Sequence, residues 1–328
     1  MVDFTGGTWR SLVDGSEVIT LLDTELGHIA YGDANGSDCY IHDVEDDYSL
    51  LHTLTDASDR CKTTTYNPTG LEFVISGRDG DVHIYDTEDD YNLIETLTGH
   101  SGGVEAEIYF DSVADRMMVV PVDDDVHIYD TDEYILESEF TQAGSDQLGS
   151  AGWSPDDTYL AYSGPGDDGT VHVHDGGDYS HITTLDEGGT VQGALEWGPN
   201  GDYIAYGDQE SDVYIHNVGE WDLEETLTDL DGSISNALGW SHDGQYLAVG
   251  DRDAEVVVWD TSNWSVETTL TDASGDIQGD LDFKPDDEYM AYGTDAGDVH
   301  IHDVGGWNEV ETLTEASRAR GGPEWSPE

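Results

Sequence analysis

Lysine and arginine are nearly absent from this chain: its 328 residues hold nine of them against 74 Asp and Glu, a formal net charge of −65. The lysines are Lys62 and Lys284 alone. Such a polyanion repels nucleic acid and anionic lipid, which are both held through basic patches, so neither is an expected partner. Cysteine is equally scarce. Cys39 and Cys61 are too few for a disulfide framework, and both are expected to be buried thiols. No run approaches the roughly 18 apolar residues of a membrane span, and the opening MVDFTGGTWR has neither the basic start nor the apolar run of a signal peptide. The expected setting is a cytoplasm or a virion, without membrane insertion.

What is present argues for a packed fold. High net charge with modest hydrophobicity normally means disorder, yet the chain carries 18 Tyr, 9 Trp and a regular apolar pattern. Its charged fraction, 25%, is ordinary; the imbalance lies in the missing cations. Something outside the chain must relieve the repulsion, and salt does so, because the Debye length shrinks to about 3 Å at 1 M. The composition therefore reads as that of a protein of an extreme halophile or its virus, working in molar salt. The acid is spread along the whole chain and not gathered in a tail.

One short pattern, D-V-x-I-[H/Y]-D, returns seven times. Its copies begin at Asp38, Asp81, Asp125, Thr170, Asp212, Glu255 and Asp298, a spacing of 42 to 45 residues that suits a four-stranded blade and exceeds the 33 to 34 of common helical repeats. Residues 229–271 show the internal plan. Strand a is expected at Ile234 to Trp240, strand b at Gln245 to Gly250, strand c at Glu255 to Asp260 and strand d at Trp264 to Leu270, with turn residues between them and no helical period. Four short antiparallel strands do not stand alone, and stacking such sheets around an axis covers both faces of each. The expectation is a single all-β domain over 1–328, a β-propeller of four-stranded antiparallel blades.

Here the chain resembles the WD40-repeat family. Trp259-Asp260 ends strand c as in the family signature, and Gly99-His100 opens a repeat as its GH dipeptide does. The likeness covers the whole chain in period and strand order, but one repeat alone keeps WD and another keeps GH, so the family's His, Ser/Thr, Asp and Trp tetrad is expected to be incomplete in every blade. Seven blades are expected. The alternative is a partial eighth built from both termini, because residues 9–14 read as a short strand d and Arg320 to Glu328 as an additional strand a. Either arrangement closes the ring and removes a free sheet edge.

Catalytic and metal signatures are weak. The pairs His172/His174 and His300/His302 project from one face of a strand, but Tyr fills the same kind of position at Tyr85, Tyr129 and Tyr214, which suits a ring packed between blades and not a ligand. No cofactor is expected beyond weak cation binding by acidic turns. The sequence lacks a DxDxDG calcium loop, a G-x-S-x-G elbow, a phosphate-cradling glycine loop and H-E-x-x-H, and no enzyme is expected.

The rare cations are more telling. In a propeller the d-to-a and b-to-c connections share one face, and Arg60, Lys62, Arg78, Arg252, Arg318 and Arg320 fall in or beside them, whereas Arg10, Arg116 and Lys284 do not. These six are the candidate docking residues for an acidic protein partner. Lys62, Glu105, Gln192, Ser235 and Gln278 align on strand a and are candidates to line the central opening. The family resemblance implies a non-enzymatic scaffold that binds proteins through one rigid face and that opening. The alternative is a structural or receptor-binding component of a halophilic virus or cell surface. Oligomeric state is left open.

Overall fold

A computed structural model describes residues 21–23, 28–32, 37–43, 49–58, 61–77, 79–100, 108–121, 126–140, 151–163, 169–284, 286–296 and 298–313. Among them lie seven four-stranded antiparallel sheets, each a simple meander with strands a, b, c and d in chain order. They occupy residues 21–54, 61–97, 108–140, 151–185, 191–227, 234–270 and 277–313 and are numbered blades 1 to 7. At five of the six described junctions strand a of one blade packs on strand a of the next, the order of a propeller with its first strands innermost. No helix among the described residues is long and apolar enough to cross a membrane. Residues 9–14 and 320–328, on which an eighth blade depends, lie outside the described residues.

Alternation along strand c builds the core. In blade 6, Val256 and Val258 pack toward blade 7, while Val257 and Trp259 pack toward blade 5. Val213 and Ile215 in blade 5 do the same against blade 6, with Tyr214 turned toward blade 4. Every buried cluster therefore spans two consecutive blades, one cluster for each of the six described junctions. Each fully buried Val, Ile or Leu adds about 1.5 to 3 kcal/mol relative to exposure. Cys39, the expected buried thiol, is fully buried between blades 1 and 2. The side chain of Cys61 lies outside the description.

The final Asp of the motif ends strand c by capping the turn that follows. Asp86 Oδ1 accepts the N–H groups of Glu88 and Asp89, Asp175 Oδ1 those of Gly177 and Asp178, and Asp260 Oδ1 that of Ser262. Such short side-chain-to-backbone bonds are what make Asp a turn residue.

Each of these turns places a large aromatic in the left-handed region: Tyr91, Tyr134, Tyr179, Trp221, Trp264 and Trp307 have φ between 52° and 63°. For a bulky residue that conformation costs about 1 to 3 kcal/mol. The compensation is a clasp across the junction. Tyr203 of blade 5 lies parallel to Trp240 of blade 6, 6.5 Å between centroids, and Trp264 closes edge-on at 5.4 and 6.1 Å. Tyr159, Trp197 and Trp221 repeat the arrangement one junction earlier. Burying half of an indole's roughly 200 Å² contributes about 2.5 kcal/mol, and edge-to-face pairing about 0.5 to 1.5 more, so the ring offsets the strained backbone.

The outermost strands are protected. In all seven blades strand d carries a bulge opposite the c-strand aromatic position, with Glu137, Glu224 and Glu267 as the extra residue in blades 3, 5 and 6. A bulge and an exposed charge both obstruct edge-to-edge pairing.

Candidate interaction face

The d-to-a and b-to-c connections meet at one face and are tied together there by buried carboxylates. Asp208, 1% exposed, accepts Gly189 N–H at 2.8 Å from the preceding connection, and Glu210 and Asp212 N–H at 3.0 Å within its own turn. Asp251, fully buried, repeats this one blade on, taking Gly232 N–H at 2.8 Å, Asp253 N–H at 2.9 Å and Glu255 N–H at 3.0 Å. In blade 2 Asp79 bonds the N–H groups of Ser58 and Asp81; burial pushes its carboxyl up, but those donors prevail and hold it below the usual range. Gly207 and Gly250, one residue before Asp208 and Asp251, face Ile234 and Ile277 of the next blade so closely that a Cβ would meet the isoleucine methyl at 2.7 and 2.6 Å. The Gly-Asp step is thus where a blade seats its successor.

A second layer of bonds runs back from strand c. Trp259 Nε1–H donates to Asp229 at 3.2 Å, Tyr85 O–H donates to Asp56 at 3.0 Å, and His216 Nε2 lies 3.3 Å from Glu187. In blade 3 His100 takes the place of the acid. Its Nδ1–H donates to the Gly80 carbonyl at 2.9 Å and its Nε2 lies 3.0 Å from the Tyr129 hydroxyl. The Gly99-His100 and Trp259-Asp260 dipeptides therefore belong to one scheme in which strand c binds the connection leading into its own blade, through an acid in blades 2, 5 and 6 and through His100 in blade 3. Burial pushes the hydroxyls of Tyr206 and Tyr292 far up, so both remain protonated, and it lowers the His302 ring, favouring its neutral form.

Of the expected docking residues, Arg252 is described. It is exposed in the b-to-c turn of blade 6, where its N–H donates to the Ser233 carbonyl at 3.1 Å and joins the two connections. Lys62 is the second residue of strand a in blade 2, as Gln192, Ser235 and Gln278 are in blades 5, 6 and 7. Their side chains lie outside the description, but their backbone shares a feature that the sequence does not announce. In all four strands pairing with strand b shifts register at this place, between Cys61 and Thr63, Val191 and Leu195, Ile234 and Leu238, and Ile277 and Leu281. The polar positions thus sit in a repeated bulge at the innermost strand. Arg60, Arg78, Glu105, Arg318 and Arg320 lie outside the described residues.

Of the cations expected elsewhere, Arg10 lies outside the described residues, and Arg116 and Lys284 serve local ends. Arg116 pairs with the fully buried Asp111 at 2.8 Å, lies 4.4 Å over the Trp153 ring and donates to the Gly176 carbonyl, clamping blade 3 to blade 4. Lys284 pairs with Asp286. On that opposite face a groove of about 510 Å³ between blades 6 and 7 is lined by Asp243, Tyr246, Asp287, Glu288, Tyr289 and Asp303. The strand-c histidines face neighbouring side chains. His172 Nδ1 lies 3.2 Å from Thr184 Oγ1, His300 Nδ1 2.7 Å from Glu309, and His174 and His302 bond the carbonyls of Tyr179 and Trp307. Among the described residues no three His, Cys, Asp or Glu converge as metal ligands do.

What the sequence left unseen was the role of Asp208 and Asp251 and of the acids Asp56, Glu187 and Asp229. The signal is positional, Asp56, Glu187 and Asp229 standing 29 to 30 residues before the strand-c ring and Asp208 and Asp251 eight before it, in a chain where acids are everywhere. Comparison with known families agrees with this architecture. Residues 137–175 match the family model described as WD domain, G-beta repeat, and residues 195–279 match that of the anaphase-promoting complex subunit 4 WD40 domain. No curated protein matches the chain.

Proposed function

Given that this is a WD40-repeat protein, we propose that it is a non-enzymatic scaffold adapted to molar salt, which holds an acidic protein partner on the face of its d-to-a and b-to-c connections. WD40 repeats indicate protein–protein interaction. The observation that supports this face is its rigidity: Asp208 and Asp251 fasten adjacent connections through buried bonds to backbone N–H groups, so the loops meet a partner preformed and lose little entropy on binding. Molar salt screens charges beyond about 3 Å, and a cation then works only in direct contact. Arg60, Lys62, Arg78, Arg252, Arg318 and Arg320 are the proposed contacts, with Lys62, Glu105, Gln192, Ser235 and Gln278 at the mouth of the opening. Capture from the native source in molar KCl, with cross-linking and mass spectrometry, is expected to retain a dominant acidic protein joined beside Lys62. Replacing Arg60, Lys62, Arg78 and Arg252 together by Ser should then raise Kd at least tenfold, about 1.4 kcal/mol; unchanged affinity overturns the proposal.

A structural or receptor-binding part of a halophilic virus or cell surface is the second reading. It is favoured by neighbouring apolar side chains exposed on or just before the outer strands of blades 1 to 3, namely Leu50/Leu51, Leu93/Ile94 and Ile135/Leu136, which suit packing against other proteins. Virion or envelope proteins as the sole captured partners would decide for it.

A further inference from the structure

We infer that Asn263 is an acceptor for N-linked glycan, a modification of exported chains that goes beyond the scaffold reading and rests on the virion or cell-surface one. Asn263-Trp264-Ser265 has the spacing of a glycosylation acceptor, whose middle residue is any but Pro. Asn35-Gly36-Ser37 shares the spacing, but Asn35 lies outside the described residues; Asn67-Pro68-Thr69 fails because its middle residue is Pro, and Asn67 is also buried. Asn263 and Ser265 are both exposed, in the c-to-d turn of blade 6, while Trp264 between them is held in the clasp with Tyr203 and Trp240. The acceptor amide and the hydroxyl two residues on thus stand at the surface on a fixed frame.

The fold does not require an amide here. The turn needs an oxygen that accepts the N–H two residues later: Asn263 Oδ1 accepts Ser265 N–H at 2.8 Å, and in blade 4 Asp178 Oδ1 accepts Ser180 N–H at 3.0 Å in the same way. Blades 2, 3, 4 and 5 place Asp90, Glu133, Asp178 and Glu220 at this position, and blade 7 places Gly306. In a chain so given to acids, the amide of blade 6 is the exception. Its nitrogen makes one long contact, 3.4 Å to the hydroxyl of exposed Ser262. What Asn263 adds over Asp178 is therefore an amide nitrogen at the surface, with Ser265 beside it.

The donor is a lipid-phosphate-linked oligosaccharide. A bond forms from Nδ2 to the sugar C1, the C1–O bond to phosphate breaks, and the amide proton leaves with the phosphate. The c-to-d turns lie opposite the d-to-a and b-to-c connections, so a glycan at Asn263 covers the far side and leaves the proposed docking face open.

The test is peptide mapping of the full chain from its native source. Lys and Arg are too sparse for trypsin, whereas cleavage before aspartate releases Asp260–Thr271. A sugar mass on Asn263 is expected, absent from Asn263→Asp and Ser265→Ala and kept in Ser265→Thr. Asn263→Asp retains the acceptor oxygen, so an unchanged melting temperature separates loss of glycan from loss of fold. An unmodified native peptide overturns the inference, as does a mass increment that survives Asn263→Asp or Ser265→Ala. Partner affinity of Asn263→Asp reports on the docking face separately.

Discussion

Imidazole rings buried at blade junctions couple protonation to stability. His174 is 6% exposed and lies 4.3 Å from the Phe140 ring of blade 3, beside Tyr162 of its own blade and 5.2 Å from the His181 ring. Burial pushes its pKa down; the bond to the Tyr179 carbonyl opposes this, and the neighbouring His181 and His172 add to it. The unfolded chain takes up this proton near the ordinary value of about 6.5, whereas the folded chain resists it. The neutral ring's stability is therefore whole above about pH 6.5 and falls as the pH drops, by at most about 1.4 kcal/mol per pH unit for one such group. Tyr occupies the same repeat position at Tyr85 and Tyr129. Thermal midpoints in molar KCl should show a shallower loss for His174→Tyr than for the parent between about pH 7.5 and 5.5, and parallel curves would refute the assignment.

At the scale of turns and strands, the a-to-b turns show how one position serves two ends. Its backbone is left-handed, and the occupant is Gly201 or Gly244 in blades 5 and 6 but Asp157 or Asp287 in blades 4 and 7. Where the residue is Asp it reaches the previous blade: Asp287 accepts the N–H groups of His242 and Asp243, both at 2.8 Å, and Asp157 accepts Ser112 N–H at 3.0 Å. Asp287→Gly loses those bonds but also sheds about 1 to 2 kcal/mol of left-handed strain. Its net cost should be about 1 kcal/mol or less, whereas Asp287→Ala, which loses the bonds and keeps the strain, should cost about 2 kcal/mol. Denaturant titration in molar KCl decides, and an Ala variant as stable as the Gly variant would overturn this account. The same elements show how far the sequence is legible. In blade 6 alternation and turn residues place strand a at Ile234–Trp240, as observed, and the other three within a residue of Tyr246–Asp251, Val256–Asp260 and Ser265–Leu270. The bulge at Ser235 is invisible because its extra residues continue a plausible strand pattern, and Asp251 is invisible because its burial depends on a neighbouring blade. Arg252 was legible as a rare cation; the bond from its backbone to Ser233 was not.

For the whole molecule the dominant long-range term is repulsion among 65 net negative charges. In blades that meet through narrow apolar junctions, that repulsion acts against closure of every junction at once, and screening by salt removes it. Dilution to about 0.01 M, where the Debye length reaches about 30 Å, is expected to abolish the native β-sheet circular dichroism spectrum, with recovery on return to molar KCl; a spectrum retained at low ionic strength would refute the salt requirement. The aromatic clasps define how such unfolding spreads. Because Tyr203 belongs to one blade and Trp240 and Trp264 to the next, each clasp straddles the boundary of the sequence repeat, and a single blade cut from the chain carries only halves of two. The packing unit is therefore the junction and not the repeat: a blade removed from the chain leaves an unmatched half of a clasp on each neighbour, so the boundary at which this chain can be cut without loss does not coincide with the boundary of its repeat.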